Sequence, residues 1–473
     1  MYNSIQHFNE LGVKKIEEKI KSFISEGKDI ADLILGVNQD LMQLGRDIIT
    51  EVLEDMDEFL RQDGVRKKDW EIVRKDRSAL LTTFGEIRYN RTYFKPKSGG
   101  KRKYLVDEIV GINPHDRMTA DVVINTLDEA TESSYRKAGE KACYEDEVSK
   151  QAVMNKVHTT EVNCPKLKYS EKRDVRILYI EADEDHVAHQ TKRKGDTKCL
   201  MPKLIYVHEG IDLGRSTAKR KVLKNIRYFG EDCSAEDLWL KVAQYISEQY
   251  DEDKIETVYI SGDGASWIKQ GLQWIGKSRF VLDNHHLNKY IKIATAHLDD
   301  EAIYQGLRDA LDWPDKEMVQ RVFKRILELT GNETKRTAVK DVRKYIMNNW
   351  EGIAIKAEKG HEIVGCSAEG HVSHVLSNRL SSRPKGWSKT GVNQMTKLLV
   401  YKKNGGNIYD LVMLQKEQER LKQQAKIQDE LIRCMRRSGT RYESSFHVDL
   451  PAIHVGHKTG LYHALRRLVG KCS

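Results

Sequence analysis

Apolar residues in "IADLILGVNQDLMQLGRDIITEVLEDMDEFL" recur at three- and four-residue steps between charges. That is the period of an amphipathic helix, so residues 1 to about 75 are expected to form a helical scaffold. At 82–94 the pattern changes to alternating β-branched, aromatic and polar residues, "TTFGEIRYNRTYF", followed by the Gly-rich basic "KPKSGGKRK", which predicts a β-hairpin. Residues 133–160 offer two short helices, with Ser133 or Ser134 able to cap the first and Ser149 the second. A helix-turn-helix fits this pattern, its second helix displaying Lys150, Gln151, Asn155 and Lys156 to a DNA groove; a plain helical hairpin would look the same.

From 175 the chain reads as strands. "VRILYIEADEDHVAHQTK" gives one apolar strand, an acidic cluster and a second strand, and "CLMPKLIYVHEGI" gives a third. The basic "STAKRKVLKNIRYF" leads to a helix at "SAEDLWLKVAQYISEQY", the strand "TVYISGD", a helix at "ASWIKQGLQWI" and the strand "RFVLD". Residues 287–361 are helical in pattern and read as an insertion. The order β-β-β-α-β-α-β is that of an α/β ribonuclease H-like core. The expected organisation is helices over 1–75, a hairpin plus helix-turn-helix region over 76–170, the core over 171–286 and 362–405, the insertion over 287–361, and a basic C-terminal region over 406–473.

In an open sheet the carboxyl ends of adjacent strands form the ligand crevice. Asp183 ends the first predicted strand and Asp263 the fourth, between Gly262 and Gly264, which permit a sharp turn and leave the carboxylate open. Glu181, Asp183, Glu184 and Asp185 are all candidates in the first cluster; strand alternation groups Glu181 with Asp183, and Asp185 is the reserve choice. In "CSAEGHVSHVLSNRLSSRPKGWS", Glu369 opens a helical stretch and supplies a third acid, with Arg379, Arg383 and Lys385 close behind. Three carboxylates suit a pair of divalent cations, and oxygen-only ligands favour Mg²⁺ or Mn²⁺. Cys366, His371 and His374 lack a nearby fourth ligand for zinc.

Composition adds limits. At 473 residues the chain is expected to hold more than one domain, and its 39% hydrophobic and 32% charged residues include no apolar run near membrane-spanning length. No signal-peptide core opens the sequence and the seven cysteines never form C-x-x-C, so a cytoplasmic, nucleoid-associated protein with reduced thiols is expected. Net charge is +9: residues 371–473 carry 19 Lys and Arg against 7 Asp and Glu, and residues 1–370 sum to −3. A polyanionic partner follows from that balance.

The ordered set "FGEIRYNRTYF", "SSYRKAGE", "YIEADEDHVAHQ", "YISGDGASW", "FVLDNHHLNKYI" and the block at 366–388 resembles the DDE transposases of bacterial insertion sequences. The likeness is to the branch related to Mutator-like elements and filed as an uncharacterised protein family. The resemblance covers most of the chain and implies that Asp183, Asp263 and Glu369 are the catalytic, metal-binding acids. It puts His286 at the histidine of a Cys-x-x-His element in which Asp283 replaces the cysteine. A capping aspartate followed by a packed histidine is the alternative for that pair. The implied reaction is cleavage at the element's end to leave a 3′-hydroxyl, which then attacks target DNA, with no nucleotide cofactor. Double-stranded DNA, a homo-oligomer on that DNA and no membrane are the implied partners. Basic residues near Glu369 and at 192–194 and 219–227 would meet phosphates. A structure-selective nuclease of the same fold, or a DNA-binding regulator descended from a transposase, remains the alternative.

Overall fold

The computed structural model describes residues 3–163, 171–190, 197–218, 220–298, 300–383 and 385–422. Residues Met1–Val412 form one unit; of the second, Met413–Ser473, residues 413–422 are described and helical. The basic C-terminal region is thus mostly outside the described residues, as are the phosphate-contact candidates at 192–194 and Lys219.

At the N-terminal end, helix α1 (Val13–Glu26) lies against the long helix α2 (Ile30–Gln62). Asp29 caps α2 by accepting a bond from the Ala31 N–H at 2.8 Å. Asp63 ends α2, and its side chain accepts from the Arg66 N–H to start a short further turn. The hairpin follows, larger than the alternation suggested and begun earlier: β1 (Trp70–Thr82) pairs antiparallel with β2 (Gly85–Pro96). Its reversal is at Thr83–Phe84, and the Gly-rich basic stretch connects β2 to the two-residue strand Lys103–Tyr104 beside it. The first half of β1, "WEIVRKD", is largely exposed and so has no apolar alternation, which is why its pattern does not announce a strand.

Three helices come next: α3 (Ala120–Glu132), α4 (Tyr135–Glu140) and α5 (Lys150–Thr159). Ser134 caps α4 by accepting from Lys137 N–H, and Ser149 caps α5 by accepting from Ala152 N–H. A Cβ on Gly139 would stand 1.8 Å from the Val148 carbonyl oxygen, so only glycine lets the chain fold back this tightly between α4 and α5.

The central sheet has five strands: β3 (Ile177–Glu184), β4 (Lys203–His208), β5 (Arg227–Glu231), β6 (Thr257–Gly262) and β7 (Ser278–Leu282). Their spatial order is β7-β6-β3-β4-β5, and β4 alone runs against the others. Two expectations are corrected. The expected second strand contributes only Val187–Ala188, paired with Cys199–Leu200 in a separate ribbon, so Lys203–His208 is the sheet's second strand. The third, Arg227–Glu231, lies at the end of what reads as a basic loop, because its apolar content is confined to Tyr228 and Phe229.

Both faces of the sheet are covered. Leu178, Ile180, Ala182, Val258 and Ile260 pack with helix α6 (Ala235–Gln249) and with the helices that follow β7. Leu204, Tyr206 and Tyr228 pack with α3, α5 and residues 368–400 on the other face. Five helices from Asn284 to Glu358 fill the expected insertion. They share the first core with the sheet: Ile291, Leu311, Phe323, Val342 and Ile353 belong to it, and Gly352 abuts Phe280. No described helix is long and apolar enough to cross a membrane.

Candidate active site

The parallel register pairs Glu181 of β3 with Ser261 of β6, and Leu282 of β7 with Gly262. Carried one or two residues further, it brings Asp183, Asp263 and Asp283 level at the carboxyl ends of three neighbouring strands. Each leaves its strand differently. The Asp183 carboxylate accepts the Glu184 N–H at 2.9 Å, and the Asp263 carboxylate accepts the Ala265 N–H at 2.8 Å. Asp283 caps the next helix, α7 (Asn284–Thr295), accepting from the N–H groups of His285 and His286 at 3.1 and 3.4 Å.

The flanking glycines have specific causes. A Cβ on Gly262 would lie 2.8 Å from the Ala182 carbonyl oxygen, so the β3–β6 approach needs its absence. Gly264 has φ +89° and its Cβ would meet the Asn349 side chain at 2.3 Å. The Asp263 carbonyl also accepts the Tyr345 hydroxyl at 2.5 Å, so the helices after β7 hold this turn from behind.

Electrostatics separate the acids. Burial, with the Asp263 charge adding to it, pushes the Asp183 carboxyl up to about 6, against the lowering effects of the Glu184 N–H and His286. Burial also works against charge on Asp283, but the hydrogen bond from His286 and the two backbone N–H groups outweigh it and hold that carboxyl below its ordinary value. His286 Nδ1 stands 2.9 Å from Asp283 and is raised mainly by that bond, with Asp183 and Asp263 contributing attraction. Asp283 therefore is the helix cap of the alternative reading, and it also orients a histidine towards the strand-end acids.

Glu369 lies on a helix that runs α over Ala368–Val372, widens to one π turn over Ser373–Ser377, and ends at Asn378–Leu380. π turns of this kind often mark functional positions in helices. The Glu369 carboxylate is 2.8 Å from His285 Nε2, with both side chains well exposed. Its helix is tied to β3 by a residue that sequence reasoning left undistinguished. Glu181, fully buried, accepts the Ser367 N–H at 2.5 Å, bonds the Tyr206 hydroxyl, and lies 3.0 Å from His208 Nε2. Burial opposes its charge, yet these bonds carry its carboxyl below the ordinary value. Neither His285 nor the Glu181 network has a sequence signature beyond the His-His dipeptide and strand parity.

Other candidates separate. Asp185, just past β3, is buried, with one oxygen accepting the Ser381 hydroxyl at 2.8 Å, and so ties the end of that strand to the end of the Glu369 helix. Its second oxygen has no partner among the described residues. Glu184 accepts the Trp267 indole N–H. Lys150, Gln151 and Asn155 are exposed on α5 and Lys156 is half-buried; Gln151 donates to Asn155 at 3.0 Å. Arg379 is a correction. Only 4% exposed, it donates to the Ala130 carbonyl at 2.7 Å and its guanidinium lies over Trp387 and Tyr135, so it clamps α3 to the Glu369 helix and offers nothing to a phosphate. Arg383 stays exposed, and burial with the nearness of Arg379 and Arg383 pushes Lys385 down. His371 is bonded to the Tyr228 hydroxyl at 2.7 Å. Among the described residues, no three His, Cys, Asp or Glu side chains converge closely enough to hold a metal ion.

The profile of the uncharacterised protein family UPF0236 matches residues 23–417, which include every acid discussed above. This chain belongs to that family. A UPF0236 protein of Caldanaerobacter subterraneus subsp. tengcongensis, under a name that joins eleven loci, is 40% identical over 452 residues, 95% of this chain and 93% of the relative. Another UPF0236 protein of that organism, joining four loci, is 39% identical over 459 residues, 96% of this chain and 95% of the relative. A more distant UPF0236 protein from Streptococcus gallolyticus, named for its place in the vanSb 3′ region, is 25% identical over 411 residues, 82% of this chain and 86% of the relative.

Proposed function

We propose that this protein is a DDE-type transposase that cuts the ends of an insertion sequence and joins the freed 3′-hydroxyl to target DNA. The observation that carries the reading is the level placement of Asp183 and Asp263 at the ends of neighbouring parallel strands, with the Asp183 proton held by burial and by its neighbour's charge. Two further features support it. A five-stranded sheet in which only the second strand is reversed is what a ribonuclease H-like core would have. Relatives whose names join many loci of one organism suit a mobile element.

The donor set fits a hard divalent cation. Burial, with the Asp263 charge adding to it, keeps a proton on Asp183 that Mg²⁺ or Mn²⁺ would displace, and the carboxylates offer the hard oxygen ligands such a cation prefers. Asp183 and Asp263 would hold the cation, joined by Glu369, and it would activate the attacking oxygen and stabilise the leaving one. The chain's own groups do the rest. Asp283 keeps His286 oriented and its proton tightly held beside the two strand-end acids. His285 restrains Glu369, and the Glu181 network sets the distance between the helix of Glu369 and β3. The exposed edge of α5 is the candidate reader of base edges in the element's ends.

The test is purified protein with Mg²⁺ and a duplex carrying the DNA that flanks its own coding region. Cleavage and strand-transfer products are expected from the wild type and neither from Asp263→Asn, whose circular dichroism should match wild type. Cleavage without any joined product would favour a nuclease, and full activity in Asp263→Asn would remove the assignment.

A further inference from the structure

Averaging charge over residues 1–370 conceals a strongly basic element. Residues 64–103 carry 13 Lys and Arg against 4 Asp and Glu, a net of +9 that equals the formal charge of all 473 residues. Residues 1–63 carry 7 against 14, so the acidic α1–α2 arm cancels this element in any long window. Most of the basic stretch is the β1–β2 hairpin and the turn that follows it, and the hairpin packs on α2 through β2.

Part of this charge is internally matched. Arg74 pairs with Asp76, Arg88 with Glu86, Lys103 with Glu108 and Arg91 with Asp107. The acids of α2 that lie against the hairpin are also taken up, Glu54 by Asn90 and Asp57 by Thr92. Arg77, Lys95, Lys101 and Arg102 are exposed and stand in no ion pair among the described residues. Along β2 the positions of Arg77 (opposite Asn90) and Lys95 are five residues apart, roughly 17 Å at the rise of a strand or about five base pairs of duplex, and the odd spacing puts one cation on each face of the hairpin.

The tyrosines of the hairpin and its turn are occupied. Tyr93 and Tyr104 stack at 4.8 Å between centroids, Arg74 covers Tyr93 at 4.8 Å, and Arg91 covers Tyr104 at 3.9 Å. Tyr89 is buried and donates to Asp107. Single-stranded nucleic acid is held by open aromatic faces on which splayed bases stack, and these rings leave none. Unpaired cations without a stacking platform suit the phosphates of a double helix.

We propose that the β1–β2 hairpin and its turn through Lys103 form a second DNA-binding surface, one that grips duplex phosphates without reading sequence and is separate from α5. The choice of DNA as the polyanion rests on the activity proposed above; the binding surface itself does not. The experiment is fluorescence anisotropy of the full chain with a random duplex of about 30 base pairs, several times the hairpin's span, from 50 to 200 mM NaCl. The variant Arg77→Ala/Lys95→Ala/Lys101→Ala/Arg102→Ala is compared with Lys316→Ala/Arg321→Ala/Lys324→Ala/Arg325→Ala, which removes the same charge from an exposed face of the helical insertion. The hairpin variant should bind at least about tenfold more weakly at about 100 mM salt, with the slope of log K against log salt flattened by about 0.9 for each phosphate that is no longer neutralised. The insertion variant should weaken far less. Equal weakening in both variants, an unchanged slope in the hairpin variant, or tighter binding of a single strand than of the duplex would overturn the proposal. Wild-type protein that binds the random duplex this way but never cleaves its own flanking DNA would remove the activity proposed above and leave the surface standing.

Discussion

The strand-end aspartates and the helix-borne glutamate are held in contrasting ways. Asp183 and Asp263 leave adjacent strands whose register is set by the sheet, and glycines at 262 and 264 fit the crowded turn between β3 and the helices behind it. Glu369 stands on a short helix with a π turn, exposed, restrained by His285 and by a buried network two residues away. Register is cooperative, since a slip of one residue turns every side chain of a strand over. The helix of Glu369 buries Ala368, Val372, Val375, Leu376 and Leu380 in the second core, but the carboxylate itself is placed by polar bonds whose loss would let it move. The pair is therefore the fixed half of the site and the glutamate the adjustable half.

The sharpest way to break this contrast is within the first acidic cluster. Asp183→Asn is expected to lose metal-dependent cleavage by on the order of 10³-fold or more, the scale seen when a member of a catalytic unit is removed. Asp185→Asn, which keeps a partner for Ser381, should be only impaired. Equal losses in both would erase the distinction between a site acid and a tie.

Next in size is the tie beneath Glu369. Glu181→Ala leaves Ser367, Tyr206 and His208 without their shared acceptor, and breaking a buried charged network of this kind costs about 3 kcal/mol. Urea unfolding should register that loss, and hydrogen exchange should rise at 366–372 in folded protein. Unaltered exchange there would mean that the helix is positioned by other bonds.

Recognition by α5 is expected to be a separable third term. Changing Gln151 and Asn155 to Ala should cost about 1–3 kcal/mol for each base edge no longer read, measured as discrimination between element ends and random DNA, with little change in random-duplex affinity. A competition titration measures both, and an unchanged ratio would move recognition away from this helix.

The smallest effect is on pH dependence without metal. Asp183 titrates near 6 in the folded chain and near the ordinary carboxylate value when unfolded, so the folded state binds more protons between about 4 and 6. Its contribution to stability is present at the acid end and is lost as pH rises through 6. After allowing for partial solvent screening this amounts to about 1–2 kcal/mol. In EDTA, the gap in unfolding free energy between Asp183→Asn and wild type should shift by that amount from about pH 5 to about pH 7.5, in favour of the variant at the higher pH. A constant gap would mean that burial and the Asp263 charge do not hold the Asp183 proton.

Several elements were legible without coordinates because they follow from short-range rules. Serines 134 and 149 cap two helices where a cap was expected, β3, β6 and β7 end at the aspartates named from their patterns, and the five-helix run after β7 lies where its periodicity indicated. Arg227–Glu231 was not legible, being short and embedded in basic residues, and β1 was hidden by its exposed first half. Arg379 read as a phosphate ligand because basic residues near an acid look alike in one dimension, whether they reach solvent or an indole ring.

The sequence by itself determined the strand-end acids, the capped helices and the balance of charge, since alternation, caps and counts depend on neighbours along the chain. Only the tertiary structure decided that Asp185 ties two elements together, that Glu181 anchors the helix of Glu369, and that the acids of α2 facing the hairpin are taken up by Asn90 and Thr92 while cations of the +9 stretch 64–103 stay exposed. Those outcomes depend on burial and on distant partners, as with Asn90 and Glu54, 36 residues apart, or Glu181 and Ser367, 186 apart. Desolvation acts on atoms brought together in space, and no window along the chain contains both of them.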